Sequence, residues 1–454
     1  MRPPSPPPAA PAPPSARRRS RSMLTVRMKT QLARWLALAA AIPVLVVAGC
    51  GAGSGPAADT LVLGAVYPLT GPQAQGGREE LAGVQTALQV AQRQGAFGGR
   101  PVRLQVISAT TPAGARAAVD RLIDQYHAPA IIGTYGSTLA VESAARADQR
   151  HVVYWETGAV ADEVTVRHPY VFRTVATGSN LGQLAADFTS GVLLPRAGLA
   201  SQQARVAIVA VNDVYGRSVA DAEVARAAQH GIAVVDRVDY DPQTLDAAAV
   251  ADRLAADRAD YLWDVSYVDD GIAIWQAILA RGLHLRAAVG TSSAFCMPEF
   301  GRRLGAEAVG LYAADKPDQA DVNPSILLAP ARALLAKASA SYRERSGGQD
   351  MSIPAVAGFV GGWALFHGVL PGVRGTVTPD AIRTAAFALH EPRYSSINGG
   401  GVQFGQPGTP DAGQNLLPPA VVGQWQAVDT MRVVYPAPFA NGQPITMHSG
   451  SGDS

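Results

Sequence analysis

The sequence PAIIGTYGSTLAVESAARADQRHVVYWETGA, residues 129–159, contains two short apolar runs separated by a glycine-rich turn and a helical segment. Residues 130–133 have the length and composition of a buried strand, and apolar side chains recur at helical spacing over residues 138–147. The second run, residues 152–156, is followed by Thr-Gly-Ala. The pattern predicts two neighbouring strands of a parallel sheet joined by a helix.

Ser137 lies where the first of these predicted strands leads into the helix. The first turn of a helix has unpaired backbone N–H groups and the positive end of the helix dipole, which together attract an anion. Ligands of parallel α/β sheets bind at the carboxyl ends of the strands. We therefore expect the floor of a ligand pocket here, with the Ser137 hydroxyl as a ligand group. The alternative is a helix cap whose hydroxyl binds its own backbone.

Helical segments alternate with apolar runs on both sides of this stretch. Strands are predicted at residues 61–66, 102–108, 170–174, 206–211, 234–240, 261–265 and 287–290, and helices at 79–94, 113–126, 182–193, 216–230, 247–256 and 270–281. This order predicts an α/β fold with parallel sheets covered by helices on both faces. The strands form two similar sets, and the boundary between the sets falls near residues 174–179.

Three helical stretches follow without strands between them, at residues 326–345, 354–370 and 379–388, before a predicted strand near residues 421–426. Helices alone cannot extend a sheet. We expect them to return to the first set of strands, so that the chain crosses several times between two lobes.

The positive charge of the chain is concentrated at its amino terminus. The net charge of the 454 residues is +2, but the first fifty residues contain eight basic and no acidic side chains, which leaves 30 basic against 36 acidic in the remainder. A mildly acidic body gives no support for nucleic-acid binding.

The same amino-terminal region has the layout of an exported protein. A Pro/Ala/Ser-rich stretch precedes a basic patch, an apolar run over residues 35–47 and a Val-Ala-Gly-Cys tetrapeptide that ends at Cys50. This tetrapeptide resembles a bacterial lipobox, in which the cysteine is diacylated. We expect a lipid anchor on Cys50 and a location at the outer face of the cell membrane; the alternative is a plain secretory signal with an incidental cysteine. The other cysteine, Cys296, is predicted to be buried, so no disulfide is expected.

The chain lacks the sequence signatures of common catalytic sites. Its eight histidines show no metal-ligand spacing, and it contains neither a G-x-S-x-G elbow nor a P-loop. The adjacent carboxylates Glu79 and Glu80 are placed at a predicted helix start, where negative charge interacts favourably with the helix dipole. We therefore expect no enzyme activity, no metal and no cofactor.

Several motifs in a fixed order resemble one protein family. They are LGAVYPLTGPQAQGG, AGVQTAL, AIIGTYGS, VVYWETGA, PYVFRT, RVAIVAVNDVYGRS and ADYLWDVSYVDDG, with QWQ and VVYP near the end. With these motifs the chain resembles a type I periplasmic-type solute-binding protein, close to the branched-chain amino-acid class that serves ABC importers. The resemblance covers nearly all of residues 59–440. It implies two Rossmann-like lobes, three hinge crossings and a ligand held in the cleft between the lobes.

The resemblance also implies a division of the chain, and we expect the protein to be a monomer. Residues 1–50 would form a signal peptide with an amino-terminal extension, 51–58 a tether, 59–176 with 317–395 the first lobe, 177–316 with 396–440 the second lobe, and 441–454 a disordered tail.

Candidate ligand residues follow from the motifs of the family. The resemblance places Ser137, preceded by Gly136, at the ligand carboxylate, and it places the Gly158 carbonyl, followed by Ala159, at the ligand amine. The second lobe is expected to contribute two aromatic residues, Tyr215 and Tyr267.

Three residues depart from the pattern of the family. Val160 replaces a threonine of the carboxylate site, and Gly76 replaces an aromatic wall. Ser292 replaces an acidic residue that counters the ligand ammonium, and it is still a candidate contact. An unpaired buried ammonium costs several kcal/mol (~3 to 5), so Glu156 is predicted to supply the negative charge from another direction. The alternative is that Glu156 pairs with a structural arginine or with backbone amides. We therefore expect a ligand that is larger or differently placed than leucine.

Together these features predict an extracytoplasmic solute-binding lipoprotein that delivers an amino acid, or a related small polar or amide-type ligand, to an ABC permease. The alternative is a surface lipoprotein of the same fold that reports its ligand to a signalling partner. In either case a ligand that bridges both lobes would favour the closed form, because only that form makes both sets of contacts.

Overall fold

The computed structural model describes residues 60–318 and 322–447. The predicted signal segment with Cys50, the predicted tether and residues 448–454 of the predicted tail lie outside the described residues. Residues 441–447, also predicted as tail, instead lie against the body of the protein. The Ile445 N–H donates to Gln424 Oε1 over 2.8 Å, and Gln424 Nε2 donates to the Ile445 carbonyl over 2.7 Å.

The first sheet is formed by the amino-terminal strands β1 (Leu61–Tyr67), β2 (Val102–Ser108), β3 (Ala130–Gly133), β4 (Val153–Glu156) and β5 (Val171–Arg173). All pairs are parallel, in the order β2-β1-β3-β4-β5. Every residue of β3 and β4 is buried, as expected for parallel strands covered on both faces. The neighbouring parallel strands predicted from residues 129–159 are confirmed.

Three helices connect these strands, namely α1 (Ala74–Arg93), α2 (Pro112–Tyr126) and α3 (Ser137–Gln149). The start of α1 differs from the predicted start at residue 79. The missed turn contains Gly76 and Gly77, which have no side chain to show a helical period, and a Cβ on Gly77 would lie 2.2 Å from the Pro68 carbonyl oxygen. Glu79 and Glu80 therefore lie in the second turn of α1 and not at its start, and Glu80 is fully buried.

The second sheet begins with five parallel strands, β6 (Arg205–Val211), β7 (Ala233–Tyr240), β8 (Tyr261–Val265), β9 (Ala287–Thr291) and β10 (Tyr312–Asp315). The helices of this part are α4 (Gly178–Phe188), α5 (Leu194–Ala197), α6 (Val214–His230), α7 (Ala247–Ala256), α8 (Val268–Ala280) and α9 (Pro298–Leu304). The alternation predicted from the sequence is thus confirmed here. The short helices α5 and α9 fall outside the predicted helices, and β10 was not predicted as a strand.

The three carboxyl-terminal helices, α10 (Ala329–Ser346), α11 (Ile353–Trp363) and α12 (Pro379–Ala388), return to the first sheet as predicted. Leu334, Phe359 and Ile382 belong to the same buried cluster as the side chains of β1, β3 and β4. This return encloses the first sheet between helices.

The segment Ile353–Gly372 has the length and apolar composition of a membrane-crossing helix, but 83% of its apolar 18-residue stretch is buried inside the fold. It packs closely on α1, because a Cβ on Gly83 would lie 2.0 Å from the Ala355 carbonyl oxygen. We therefore assign it as a core helix.

Residues 396–417 pack on the first sheet, although they were predicted as part of the second lobe. They contain β12 (Val402–Gln403), which pairs with β11 (His390–Glu391). The Phe404 ring lies edge-on to Trp155 at 5.3 Å between centroids and to Phe172 at 5.1 Å. The Asn415 N–H donates to the Arg173 carbonyl over 2.9 Å.

The last two strands, β13 (Val421–Ala427) and β14 (Thr430–Tyr435), complete the second sheet in the order β14-β13-β10-β9-β8-β6-β7. β13 is antiparallel to both neighbours, so this sheet is mixed and not wholly parallel as predicted. A two-residue turn allows the reversal, with Asp429 in the left-handed region at φ 59°. Within the described residues the chain passes between the sheets three times: after β5, after β10 and before β13.

Candidate functional site

A pocket lies between the carboxyl ends of β3 and β4 and the facing loops of the second sheet. The space between its walls is about 430 Å³, part of it open to solvent. Seven of the eight residues predicted as ligand contacts line this pocket: Gly136, Ser137, Gly158, Ala159, Tyr215, Tyr267 and Ser292.

Ser137 is the first residue of α3, and its side chain supports the loop that follows β4. Its Oγ accepts a hydrogen bond from the Ala161 N–H over 3.1 Å, and the helix has no side-chain cap bond of its own. The alternative of a self-capping serine therefore does not describe this residue. Because Oγ accepts from Ala161, its O–H proton remains available for donation at the positive end of α3.

Gly136 allows the chain to turn into α3. Its φ of 96° lies in a region that side-chain-bearing residues rarely adopt, and a Cβ there would lie 2.3 Å from Gln73 Oε1. Glycine at this position therefore brings the amino end of α3 directly to the pocket.

Glu156, the eighth predicted residue, lies behind the wall and not in it. Its carboxylate accepts from the backbone N–H groups of Thr134 (3.0 and 3.1 Å), Gly158 (2.7 Å) and Ala159 (2.8 Å), and the Tyr154 hydroxyl donates to it over 3.2 Å. Burial raises the pKa of Glu156 to about 7, while the three amide donors lower it. The expected contact with ligand is thus corrected to the alternative in which backbone amides bind Glu156 and hold the loop that presents Gly158.

Glu80 lines the pocket, although the sequence analysis assigned it only to a helix end. The Thr157 hydroxyl donates to Glu80 Oε1 over 2.6 Å, and Tyr67 Oη lies 2.7 Å from Thr157 Oγ1. Glu80 Oε2 accepts no hydrogen bond from the part of the chain that the structure describes. Burial and the charge of Glu156 raise the pKa of Glu80 well above its usual range. A sequence signal for its burial existed, because Glu80 lies four residues before Val84 on the apolar face of α1.

The second wall is aromatic. The rings of Tyr215 and Tyr267 lie 5.5 Å apart between centroids at an angle of 48°. The Tyr215 hydroxyl donates to the Thr291 carbonyl, and the Tyr267 hydroxyl donates to Asp213 Oδ2 over 2.9 Å. Both hydroxyl protons are therefore used within the protein.

A buried ion pair lies at the end of β10. Lys316 Nζ is 2.9 Å from Asp315 Oδ1, and both side chains are less than a tenth exposed. Cys296, which is buried as predicted, also lines the pocket, and burial together with Asp315 raises the pKa of its thiol. The sequence analysis named neither residue of this ion pair as a candidate contact.

Tyr135 supplies an aromatic surface where the resemblance implied that one was lost. A Cβ on Gly76 would lie 2.4 Å from Cζ of the Tyr135 ring, so the ring fills the space that a side chain at position 76 would take. Tyr135 and Ser293 both line the pocket. Burial raises the pKa of Tyr135.

The two walls also touch through polar contacts at the rim. Asp213 caps α6 by accepting from the Gly216 N–H over 2.9 Å, and it also accepts from the Thr138 hydroxyl of the first wall over 3.5 Å. The Asp162 N–H donates to Ser218 Oγ over 3.0 Å. These contacts hold the two sides of the pocket together.

A buried carboxyl group lies behind the second wall. Thr291, whose carbonyl accepts from Tyr215, donates its hydroxyl to Glu223 Oε1 over 3.2 Å. Burial raises the pKa of Glu223 to about 8, and the nearby carboxyl of Asp264 adds to the effect. Asp264 is itself buried and accepts from the Ser266 hydroxyl. Within residues 60–318 and 322–447, no three His, Cys, Asp or Glu side chains are grouped so as to hold a metal ion.

Comparisons with known sequences identify the family. The family model described as "Periplasmic binding protein" matches residues 60–417. The curated Leu/Ile/Val-binding protein homolog 8 of Brucella abortus (strain 2308) is 29% identical over 345 residues, which is 76% of this chain and 84% of the relative.

Solved structures share the fold at low sequence identity. A leucine-binding protein LivK from Thermotoga maritima MSB8 has a TM-score of 0.67 at 17% identity, covering 82% of this chain and 97% of that one. A solute-binding protein of an ABC transporter from Rhodopseudomonas palustris BisB5, in complex with 3,4-dihydroxybenzoic acid, has a TM-score of 0.66 at 18% identity, covering 80% and 93%. The chain therefore belongs to the periplasmic binding protein family, as a type I member similar to the branched-chain amino-acid class of ABC-transporter solute-binding proteins.

Proposed function

We propose that this chain is the extracytoplasmic binding component of an ABC importer and that it holds an amino acid, or a related small amide-type ligand, in the pocket. One observation carries the proposal. The wall at the ends of β3 and β4 combines the anion-attracting start of α3 with Glu80 Oε2, an oxygen that accepts no hydrogen bond from the described residues. A site for an anion beside a site for a hydrogen-bond donor suits a zwitterionic ligand. The name of the Brucella relative agrees with this class of ligand.

Binding follows from the arrangement of the two walls. The ligand enters when the walls are apart, and the first wall takes its carboxylate at Ser137 and its amine at the Gly158 carbonyl. The rings of Tyr215 and Tyr267 then close over it. Ligand stabilises the closed form because only that form makes both sets of contacts. A permease that recognises the closed form would then receive the solute.

The division into lobes is part of this proposal. The first lobe comprises the first sheet with residues up to 417, because Phe404 and Asn415 contact that sheet. The third crossing then lies between residues 417 and 421 and not at residue 395. The two lobes move as units about the three crossings.

The proposed location depends on Cys50. The tetrapeptide at residues 47–50 supports lipidation, and a diacyl anchor would keep the binding protein beside its permease. Incorporation of labelled palmitate into the full-length chain, expressed in a bacterial host, tests the anchor. An unlabelled, fully released protein would leave a plain secretory signal as the explanation.

A thermal-shift screen tests the function. The panel contains the twenty common amino acids, their amides, benzoate-type acids and dipeptides. We expect one or more amino acids or amides to raise the melting temperature, because a ligand that binds only the folded state stabilises it by RT ln(1 + [L]/Kd). Isothermal titration calorimetry then measures the affinity. A response to none of the panel, or only to acids without an amino group, would contradict the proposal.

A further inference from the structure

Glu80 is a buried carboxyl group with one oxygen still to be satisfied. The side chain is fully buried and lines the pocket. Oε1 accepts from the Thr157 hydroxyl over 2.6 Å, whereas Oε2 accepts nothing from the described residues. A buried polar atom without a partner is costly, so a donor that enters the pocket gains by binding there.

The position of Oε2 depends on the glycine beside it. A Cβ on Gly158 would lie 1.9 Å from Glu80 Oε2. Only a glycine therefore leaves room for this oxygen at the pocket floor, next to the Gly158 carbonyl. Two acceptors thus lie side by side in one wall, while the amino end of α3 lies in the same pocket.

The surroundings of Glu80 hold its carboxyl group in place. Tyr67 and Thr157 form a chain of hydroxyl groups that ends on Oε1. Glu156 lies behind, and its charge, like burial, disfavours ionisation of Glu80, while Lys316 has the opposite effect and is itself paired with Asp315.

Neighbouring helices add no further charge at this point. The packed helix α11, IPAVAGFVGGW, contains no titratable side chain. On α10, Arg345 donates to Gln85 and Gln89, and Glu344 pairs with Arg93, so these two side chains contact the later turns of α1. On α1 itself, Glu79 accepts from Ser352 and Gln75. The unsatisfied oxygen is therefore directed at the pocket and not at a partner within the described chain.

We propose, resting on the proposed function, that Glu80 Oε2 accepts hydrogen bonds from a cationic amino group of the ligand, so that the pocket selects amino acids with a free amino group. The family pattern places the corresponding negative charge at the position of Ser292 in the second wall. Here the charge comes from the first wall instead. Glu80 therefore supplies the negative charge that Ser292 lacks, and the pocket still binds an amino acid.

Binding is then linked to a proton. Burial raises the pKa of Glu80 and a bound ammonium lowers it again, so binding releases H⁺ at any pH at which the unliganded carboxyl group is protonated. Glu80–COOH and R–NH₃⁺ become Glu80–COO⁻ with R–NH₃⁺, and one H⁺ passes to solvent. Affinity therefore rises with pH as the free carboxyl group titrates, above the usual range of glutamate pKa values.

The test compares Glu80→Gln with Glu79→Gln, the adjacent glutamate that does not line the pocket. The probe is the common amino acid that gives the largest thermal shift with the wild-type protein. By calorimetry we expect Glu80→Gln to weaken binding about 100-fold, because a charge-assisted hydrogen bond in a buried site is lost, and Glu79→Gln to stay within about 3-fold. Titration in buffers of different ionisation enthalpy should show proton release for the wild type and none for Glu80→Gln.

The outcomes separate the inference from the proposed function. If Glu80→Gln binds as well as the wild type, the inference is overturned and the function stands. If Glu80→Gln does not fold, the wild type decides: equal affinity for the probe and for the analogue that lacks its amino group overturns the inference. If no amino acid shifts the wild type, the proposed function itself fails.

Discussion

The two walls of the pocket use their polar groups in different ways. In the first wall, the Ser137 hydroxyl retains a proton to donate and Glu80 Oε2 retains the capacity to accept. In the second wall, the hydroxyls of Tyr215 and Tyr267 already donate to the Thr291 carbonyl and to Asp213. A hydroxyl proton that is already bound within the protein adds little to ligand affinity.

This difference indicates that the two walls have different roles in ligand binding. The first wall recognises the charged ends of the ligand, and the second wall covers it with aromatic surface. Variants of the first wall should therefore change affinity strongly, whereas removal of a hydroxyl from the second wall should change it little.

The largest effect is expected for Gly158→Ala. The new Cβ would displace the Glu80 carboxyl group, since it would lie 1.9 Å from Oε2. We expect affinity for the amino-acid ligand, measured by calorimetry, to fall about 100-fold. Gly372→Ala is the matched control, because a Cβ there meets nothing within 4 Å. Equal affinities of the two variants would show that the first wall does not depend on the position of Glu80.

Glu223→Gln should change stability and leave recognition intact. Burial raises the pKa of Glu223 to about 8 in the folded state, so its protonated form is favoured by folding. Its contribution to stability is full below its unfolded pKa of about 4.3 and is lost as pH rises through about 8. Denaturant unfolding should show that the free energy of unfolding of the wild type falls more steeply with rising pH over this window than that of Glu223→Gln. The difference should be on the order of a few kcal/mol, because one pKa unit corresponds to about 1.4 kcal/mol.

The control for this measurement is Glu142→Gln, which removes a partly exposed partner of Arg116 on the surface. Its pH profile should parallel the wild type. Parallel profiles for Glu223→Gln as well would mean that Glu223 is ionised in the folded protein at neutral pH.

Ser137→Ala is expected to weaken binding about 10-fold, because it removes a hydrogen bond to a charged group of the ligand. The variant also loses the acceptor for Ala161, so its melting temperature must be measured alongside its affinity. Ser143→Ala on the same helix serves as the control, since Ser143 is buried and does not line the pocket. Wild-type affinity in Ser137→Ala would remove this serine from the ligand site.

The smallest effect is expected for Tyr267→Phe. The ring stays and only the hydroxyl bond to Asp213, 2.9 Å long, is lost. Calorimetry should give an affinity within about 3-fold of the wild type, the size of a single hydrogen bond of the rim. A loss greater than that of Ser137→Ala would reverse the comparison between the walls and place ligand recognition on the tyrosine hydroxyl.

Much of the fold was predictable because each strand and helix has a local signature. The predicted strand at residues 102–108 coincides with β2, and the short apolar runs of β3 and β4 lie where they were expected. The path of residues 396–417 was not predictable, because they contain little regular structure and their place is set by distant contacts such as Phe404 on Trp155. The mixed second sheet escaped prediction because neither neighbour of β13, β10 or β14, had been predicted as a strand.

One part of the site was predictable from a single segment, and the family resemblance supplied Tyr215, Tyr267 and Ser292 from the second wall. Other residues that only folding brings together were missed. Gly136, Ser137, Gly158 and Ala159 belong to one continuous stretch. Glu80, Tyr135 and Lys316 come from three separate places, and only the folded chain brings them to one pocket. Glu156 was misplaced because its position in a buried strand indicates burial but not the direction in which its carboxylate points.

The exchange between Gly76 and Tyr135 has a consequence for how specificity is inferred across homologues. In a sequence alignment, the glycine at position 76 counts as the loss of an aromatic residue. That loss would separate this chain from the amino-acid binders. The aromatic surface is nevertheless retained, supplied by a residue 59 positions further along the chain whose ring fills the vacated volume. Homologues with a small residue at position 76 should therefore be sorted by the shape of the pocket that they form, with positions 76 and 135 considered together.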